Sequence, residues 1–197
     1  SAVGSLSNPT RLSNTFKSVK GLKVKNETIS SYLDCFIDAY IISKSYRYDI
    51  KGRSYIDTPL KYYFTDIGLR NARLNFRQQE ENHIMENIIY NELIAREFNV
   101  DVGVVEYNHK DDSGKKVRTQ LEVDFVVNKT EKRYYIQSAL TVSDEDKRRQ
   151  EVNSLNKIDD SYAKIVVVRD NILPWRDEKG VLYINIEDFL LERINEL

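Results

Sequence analysis

The sequence predicts an α/β fold in two parts, a helix pair with a β-hairpin and then a mixed β-sheet flanked by helices. Three observations predict this fold. Apolar residues recur at helical spacing through residues 9–41. Strand-like alternation with a turn signal follows over residues 43–65. Beyond residue 77 a long helical pattern precedes several strand patterns. We therefore expect two domains, residues 1–76 and residues 77–197.

The first part begins with two predicted helices. Ser7-Asn8-Pro9 places a capping side chain before a proline, which is typical of a helix start. A second helix is predicted to open at Asn26 after a short basic connection. A strand over residues 43–50, a turn at Lys51-Gly52-Arg53 and a return over residues 54–65 predict a hairpin. A helix-turn-helix followed by a basic-tipped hairpin is the layout of a winged-helix domain.

The second part predicts a mixed sheet with helices on both faces. Its first element is a long helix from Gln78 to Phe98. Strands are predicted over residues 102–108, 117–127, 133–140, 164–169 and 181–186. An acidic-capped helix is predicted over residues 143–158 and a terminal helix over residues 187–197. The first six residues resemble the end of a helix, so we expect the chain to be a fragment of a longer protein.

Composition excludes several classes of protein. A single cysteine, Cys35, excludes a disulfide framework and a cysteine-rich zinc site. Two histidines, His83 and His109, argue against a histidine-based metal centre. No apolar run approaches the roughly 20 residues that a membrane span needs. We expect a cytoplasmic protein without a membrane partner.

The formal net charge of −1 hides an asymmetry along the chain. Residues 1–77 hold 13 Lys or Arg against 6 Asp or Glu, whereas the remaining residues hold 17 against 25. The balance is therefore +7 in the first block and −8 in the second. Such blocks indicate two domains with different partners, and the basic block would attract phosphate. Mutual attraction between the blocks is an equally good explanation.

The basic block supplies candidate nucleic-acid contacts in the predicted winged helix. They are polar or cationic side chains on the first helix, the connection, the second helix and the hairpin tip: Arg11, Lys17, Lys20, Lys23, Lys25, Thr28, Lys51 and Arg53. A phosphate-tracking surface is predicted, with no sequence-specific reading. Protein–protein contact is the alternative role for the same domain.

Glu86, Asp124 and Gln137 form a candidate active site. A predicted helix carries Glu86, and two adjacent predicted strands carry Asp124 and Gln137. Their oxygens are the type of ligand that Mg²⁺ prefers, and the metal would activate a water for attack on phosphate. A lysine two residues after Gln137 would stabilise developing charge, but Ala139 stands there. In the alternative, Asp124 is a solvent-side or turn-capping acid and Glu86 an edge residue.

Four stretches together resemble one protein family. They are Lys61–Asn71, His83–Leu93, Leu121–Val126 and Tyr135–Ala139, which occur in this order and extend the resemblance over nearly the whole chain. They look like the C-terminal region of a family of bacterial and archaeal P-loop AAA-type ATPases. In that family an ATPase module precedes a winged helix and a domain similar to the restriction-endonuclease-like fold, the PD-(D/E)xK superfamily.

The resemblance implies a fold and a set of roles. It matches Glu86 to the helix acid, Asp124 to the strand acid and Gln137 to the second strand ligand, while Ala139 departs from the nuclease lysine. No G-x-x-x-x-G-K-[ST] phosphate loop occurs in the sequence, so ATP would bind in the N-terminal ATPase module and not here. We expect a non-catalytic region that binds nucleic acid or a protein partner and regulates the ATPase. The alternatives are a metal-dependent nuclease, in which Lys147, Arg148 or Arg149 replaces the lost lysine and Mg²⁺ is the cofactor, and a purely protein-binding module.

Overall fold

A computed structural model describes residues 4–77, 80–110 and 113–191 as a mixed α/β structure. Its helices are α1 (Pro9–Lys20), α2 (Asn26–Asp38), α3 (Ile67–Arg73), α4 (Glu81–Ala95), α5 (Glu145–Glu151) and α6 (Ile186–Leu191). Its strands are β1 (Ile42–Asp49), β2 (Ser54–Phe64), β3 (Asn99–Lys110), β4 (Lys116–Lys129), β5 (Lys132–Ala139), β6 (Ala163–Val168), β7 (Trp175–Arg176) and β8 (Leu182–Asn185). The strands form one sheet in the order β2-β1-β3-β4-β5-β6-β8-β7. The predicted α/β class is therefore confirmed.

Two apolar layers cover the opposite faces of this sheet. Successive residues of β5 alternate between them, with Tyr134 and Ile136 in one layer and Tyr135 and Ala139 in the other. The first layer is completed by the buried side of α4 and by Phe189 of α6. The second is completed by Val152 and Leu155, which follow α5. Packing on both faces was predicted, and it fixes α4 and α5 on opposite faces of the central strands.

The helix pair α1–α2 is held by caps and a tight connection. Asn8 accepts a hydrogen bond from the Arg11 N–H at the start of α1, and Gly21 ends the helix with a φ of 67°. A left-handed residue at this position is a common helix end and favours glycine. The Ser13 hydroxyl then donates to the Val24 carbonyl at 2.6 Å, which ties α1 to the connection. No residue of α1 is buried, so the described chain leaves its surface open to solvent.

The hairpin β1–β2 joins the sheet of the second part. Asp49 accepts hydrogen bonds from the backbone N–H groups of Lys51 and Gly52, which closes the predicted turn. Strand β1 then pairs in parallel with β3, where Arg47 lies opposite Val102. Hydrogen bonds of the sheet thus cross the boundary that we predict between residues 76 and 77. The division into two domains stays a prediction.

Some local predictions need correction. The helix predicted over residues 143–158 is only α5 and a short 3₁₀ turn at Leu155–Lys157, because Val152 and Leu155 turn into the core. The short strand β7 was not predicted. Residues 4–7 are not helical, since Ser7 pairs with Leu60 at the edge of β2. The predicted helix start at Gln78 and the last six residues of the predicted terminal helix lie outside the described residues.

A β-bulge interrupts the pairing of β3 with β4 beside Gly103. Asp101 lies opposite Val126 and Gly103 opposite Val123, so one residue of β3 faces both Asp124 and Phe125. A bulge of this kind bends the strand and redirects a side chain. A Cβ atom on Gly103 would lie 2.8 Å from the Cβ of Val123 and 2.9 Å from Cγ2 of Val126. Close approach of the backbone therefore requires glycine here.

We expect Gly103→Ala to destabilise the protein by about 1–3 kcal/mol, because the added methyl group overpacks the bulge. Asn108→Ala, at an exposed position of the same strand, is the control and should change the free energy of unfolding by less than about 0.5 kcal/mol. Urea denaturation followed by circular dichroism measures both values. Equal stability of Gly103→Ala and the natural protein would contradict the close packing described above.

Candidate functional site

Helix α4 places Glu86 beside strand β2. Met85, Ile89 and Leu93 recur at helical spacing and bury one side of the helix against the sheet. Asn87 fixes the helix to β2, because its side chain accepts from the Phe64 N–H at 2.9 Å and donates to the Phe64 carbonyl at 2.8 Å. Glu86 is buried as a result, and its Oε1 accepts a hydrogen bond from the Tyr63 hydroxyl at 2.7 Å.

The β-bulge places Asp124 where strands β4 and β5 separate. The backbone pairing of β4 with β5 runs from Lys129 and Lys132 to Phe125 and Ile136, and it stops there without including Asp124. Past this point side chains replace the ladder: Oδ2 of Asp124 accepts from the Ser138 N–H at 2.8 Å. Oε1 of Gln137 lies 3.4 Å from the Asp124 backbone nitrogen. Asp124 and Gln137 are thus neighbours, as the sequence predicts.

The site contains a buried cation that the sequence did not predict. Nζ of Lys61, on β2, lies 2.8 Å from Oε1 of Glu86 and 2.6 Å from Oε1 of Glu122. It lies 3.8 Å from Oδ1 of Asp124. Lys61 is only 3% exposed. The one signal in the sequence is its spacing: Lys61 lies two positions before Tyr63 in the strand, so both side chains share the buried face of β2.

The charges of this cluster are only partly balanced. Burial, and next to it the nearby Glu86 carboxylate, raises the pKa of Asp124 to about 8, although Lys61 and the Ser138 N–H act in the opposite direction. Burial lowers the pKa of Lys61, but the nearby acids Asp124, Glu86 and Glu122 together outweigh it and raise that pKa above its ordinary value. Burial also raises the pKa of Tyr63 well above its usual value. At neutral pH we therefore assign a proton to Asp124, a positive charge to Lys61 and a neutral side chain to Tyr63.

An open cleft of about 420 Å³ adjoins the carboxylates of Glu86 and Asp124. Its lining includes Glu86, Asp124 and Gln137 together with Lys147 of α5. The structure thus brings the three predicted site residues to one cleft. Of the three cations considered as replacements for the missing lysine, only Lys147 lines it, whereas Arg148 and Arg149 pair with Glu145.

Ala139 lies at the inner edge of the same cleft and is packed into the apolar layer with Val142 and Val152. Its 3% exposure leaves little space for a longer side chain. Alanine at this position therefore fits the packing of the second apolar layer.

The resemblance implies a divalent metal at Glu86, Asp124 and Gln137, and the geometry tests this ligand set. The Lys61 ammonium lies at the point on which the carboxylate oxygens of Glu86, Glu122 and Asp124 converge. Two cations do not share such a position, because their repulsion in a buried site is strong. In the part of the chain that the structure describes, no group of three or more His, Cys, Asp or Glu side chains is arranged to hold a metal. With Lys61 in place, the residues do not fit a resident divalent cation.

The predicted nucleic-acid residues lie in two separate places. Lys17, Lys20, Lys23 and Lys25 are exposed along α1 and the connection, as is Arg11, and Thr28 is half-buried in the first turn of α2. Lys51 and Arg53 instead line a cleft with Arg133 and Tyr162. The groove along α1 contains neither of these two turn residues.

The comparisons with known proteins assign no activity to the proteins that resemble this chain. Residues 1–80 match a family described as Domain of unknown function (DUF8612). The chain is also 31% identical over 190 residues to an uncharacterized protein of Haemophilus influenzae, in a match that covers 96% of this chain and 43% of that protein. The chain therefore spans less than half the length of this relative. No solved structure matches the chain. In the described residues no helix is long and apolar enough to cross a membrane.

We expect the stability of the protein to fall as pH rises from about 5 towards 8. The folded pKa of Asp124 lies above the unfolded value of 3.8, so in this range the folded carboxyl holds a proton that the unfolded chain has released. Raising the pH then favours the unfolded chain, by at most about 1.4 kcal/mol per pH unit for one proton. The charge of Lys61 does not change in this window, because its raised pKa lies above it.

Asp124→Asn should flatten this dependence, because the amide keeps an oxygen for the Ser138 N–H and does not titrate. Asp57→Asn, at an exposed position of β2, is the control. Urea unfolding at pH 5, 6, 7 and 8 in the presence of a chelator measures the three slopes. The same slope in Asp124→Asn and the natural protein would show that another group dominates.

Proposed function

We propose that this chain is a non-catalytic, nucleic-acid-binding region of a longer protein that also contains a P-loop AAA-type ATPase module. The observation that carries the proposal is the unpaired basic surface of α1 and of the connection to α2. Residues 9–25 contain five cations and no Asp or Glu: Arg11, Lys17, Lys20, Lys23 and Lys25. Within the described ranges none of these cations forms an ion pair with a carboxylate.

An unpaired basic surface of this kind favours a phosphate backbone as its partner. Lysine and arginine side chains that neutralise phosphates release the cations condensed on the nucleic acid, with a gain in entropy. We also propose a winged-helix arrangement for residues 1–76, in which α2 would lie next to the nucleic acid with Thr28 in its first turn. The contacts that we propose are made by lysine and arginine side chains to phosphate, which carries no sequence information, so we propose binding without sequence preference.

The carboxylate cluster supports a role without catalysis. We propose that β3, β4, β5 and α4 belong to a restriction-endonuclease-like domain that has kept its shape. Ala139 stands at the position of the missing lysine and packs into an apolar layer. Glu86 and Asp124, the acids that would bind the metal in a nuclease, lie next to the Lys61 ammonium. Domains with such folds also serve as binding or scaffold units, and the fold alone does not imply cleavage.

The length of the Haemophilus influenzae relative supports the inclusion of an ATPase module in the proposal. More than half of the Haemophilus influenzae relative lies outside its match to this chain, which leaves room for another module. We propose that ATP binds in that module and that this region regulates it by holding nucleic acid nearby.

A protein partner is the second candidate, and one observation favours it. Phe16 and Val19 are exposed on α1 and line a groove of about 390 Å³ together with Leu12. Exposed apolar side chains in a groove are typical of protein contact sites. Such a partner would bind with little dependence on salt, which distinguishes it from phosphate contact.

We expect the protein to bind DNA with an affinity that falls steeply with salt, because phosphate contacts release counter-ions. The triple variant Lys17→Ala, Lys20→Ala and Lys23→Ala should weaken binding and reduce the salt slope by about 2–3 for duplex DNA. Fluorescence anisotropy with labelled single-stranded and duplex DNA of mixed sequence measures both quantities.

The matched control removes three exposed lysines elsewhere, as Lys110→Ala, Lys132→Ala and Lys179→Ala. Both triple variants lose the same charge, so only a local contact on α1 separates them. Equal weakening by the two variants would contradict the surface that we propose. Binding that ignores salt would favour the protein-binding candidate.

We expect no cleavage of DNA by this chain, because the cluster around Asp124 does not fit a metal. Incubation of supercoiled and single-stranded DNA with Mg²⁺ or Mn²⁺ should leave the substrates intact, for the natural protein and for Asp124→Ala alike. Cleavage by the natural protein that disappears in Asp124→Ala would replace our proposal with a metal-dependent nuclease.

A further inference from the structure

The Lys61 ammonium occupies a position with the chemical character of a cation site. Oxygens of three carboxylates converge on it from two elements, Glu86 on α4 and Glu122 with Asp124 on β4. Two of these oxygens lie within 2.8 Å of Nζ. Hard carboxylate oxygens are the ligands that Ca²⁺ and similar divalent cations prefer, and in the described residues the Lys61 ammonium takes the position where these oxygens converge.

Surrounding contacts hold two of these carboxylates, Glu86 and Asp124, in place independently of Lys61. The Tyr63 hydroxyl donates to Glu86, and the Ser138 N–H donates to Asp124. The bulge of β4 and the docking of α4 by Asn87 set the two backbones. Glu86 and Asp124 would therefore remain close together after loss of the ammonium, and the negative charge of Glu86 would be left without its counter-ion.

We propose that the Lys61 ammonium is a built-in substitute for a divalent cation, so that the folded chain binds no divalent cation at these carboxylates and removal of the ammonium opens a site for one. The lysine balances part of the negative charge and holds α4 on β4 without an ion from solution. This role goes beyond the binding of nucleic acid and does not depend on it.

Two substitutions of Lys61 distinguish the effect of losing the positive charge from the effect of opening space for an ion. Lys61→Ala removes the ammonium and leaves room for a hydrated ion, whereas Lys61→Met removes the same charge and fills the space with an apolar chain. In a chelator both variants should melt about 10 °C below the natural protein, because buried carboxylates lose their counter-ion. Addition of 5 mM CaCl₂ or MnCl₂ should then raise the Tm of Lys61→Ala by several degrees, since a ligand that binds only the folded state stabilises it.

The controls define the site. Lys61→Met and the natural protein should not respond to the metals, and the double variant Lys61→Ala with Asp124→Asn should respond less than Lys61→Ala. A second arm titrates Mn²⁺ into the natural protein by calorimetry, which needs no destabilised variant. We expect the natural protein to bind no Mn²⁺ at these carboxylates, so Asp124→Asn should not change the titration.

Three results would overturn the proposal. The first is one equivalent of Mn²⁺ bound by the natural protein and lost in Asp124→Asn. The second is a folded Lys61→Ala variant whose Tm does not change with either metal. The third is an equal metal response of Lys61→Ala and Lys61→Met.

If Lys61→Ala folds only with metal present, the proposal is supported. If it folds neither with metal nor without it, the calorimetric titration of the natural protein decides. Failure of DNA binding would leave these outcomes unchanged, because no nucleic acid is present in the assay.

Discussion

A buried ammonium among carboxylates can exist only where the surrounding backbone holds every partner in position, and this requirement organises the structure. Lys61 comes from β2, Glu86 from α4 and Asp124 from β4, so one ionic cluster joins three elements that are distant in sequence. Loss of any one partner would leave another charge buried without compensation. The bulge beside Gly103 and the docking of α4 by Asn87 are the features that make this cluster possible.

Local signals in the sequence predict much of the fold. The helix start at Asn8, the Lys51–Arg53 turn and the long helix before the second group of strands each depend on near neighbours. Each of them appears in the structure. Asp124 and Gln137 lie on consecutive strands, so their proximity also follows from the pattern. Spacing was therefore sufficient to bring Asp124 and Gln137 together, whereas the contact of Glu122 with Lys61 was not predicted.

Other features depend on contacts that spacing does not show. The parallel pairing of β1 with β3 joins strands separated by two helices and β2, and no local pattern specifies it. Lys61 reaches acids on elements far along the chain, so its role appears only in three dimensions. The early end of α5 has the same origin, because tertiary burial of Val152 and Leu155 outweighs the helical pattern.

The continuous sheet limits how far the two halves of the chain are modular. Strand β2 carries the ammonium in the region that matches a family model at residues 1–80, whereas every acid around it lies beyond that region. A first half combined with a foreign second half would bury a lysine without acceptors, and the reverse exchange would bury acids without a cation. Recombination at the apparent domain boundary is therefore restricted, because the ammonium of Lys61 and the acids around it must be exchanged together.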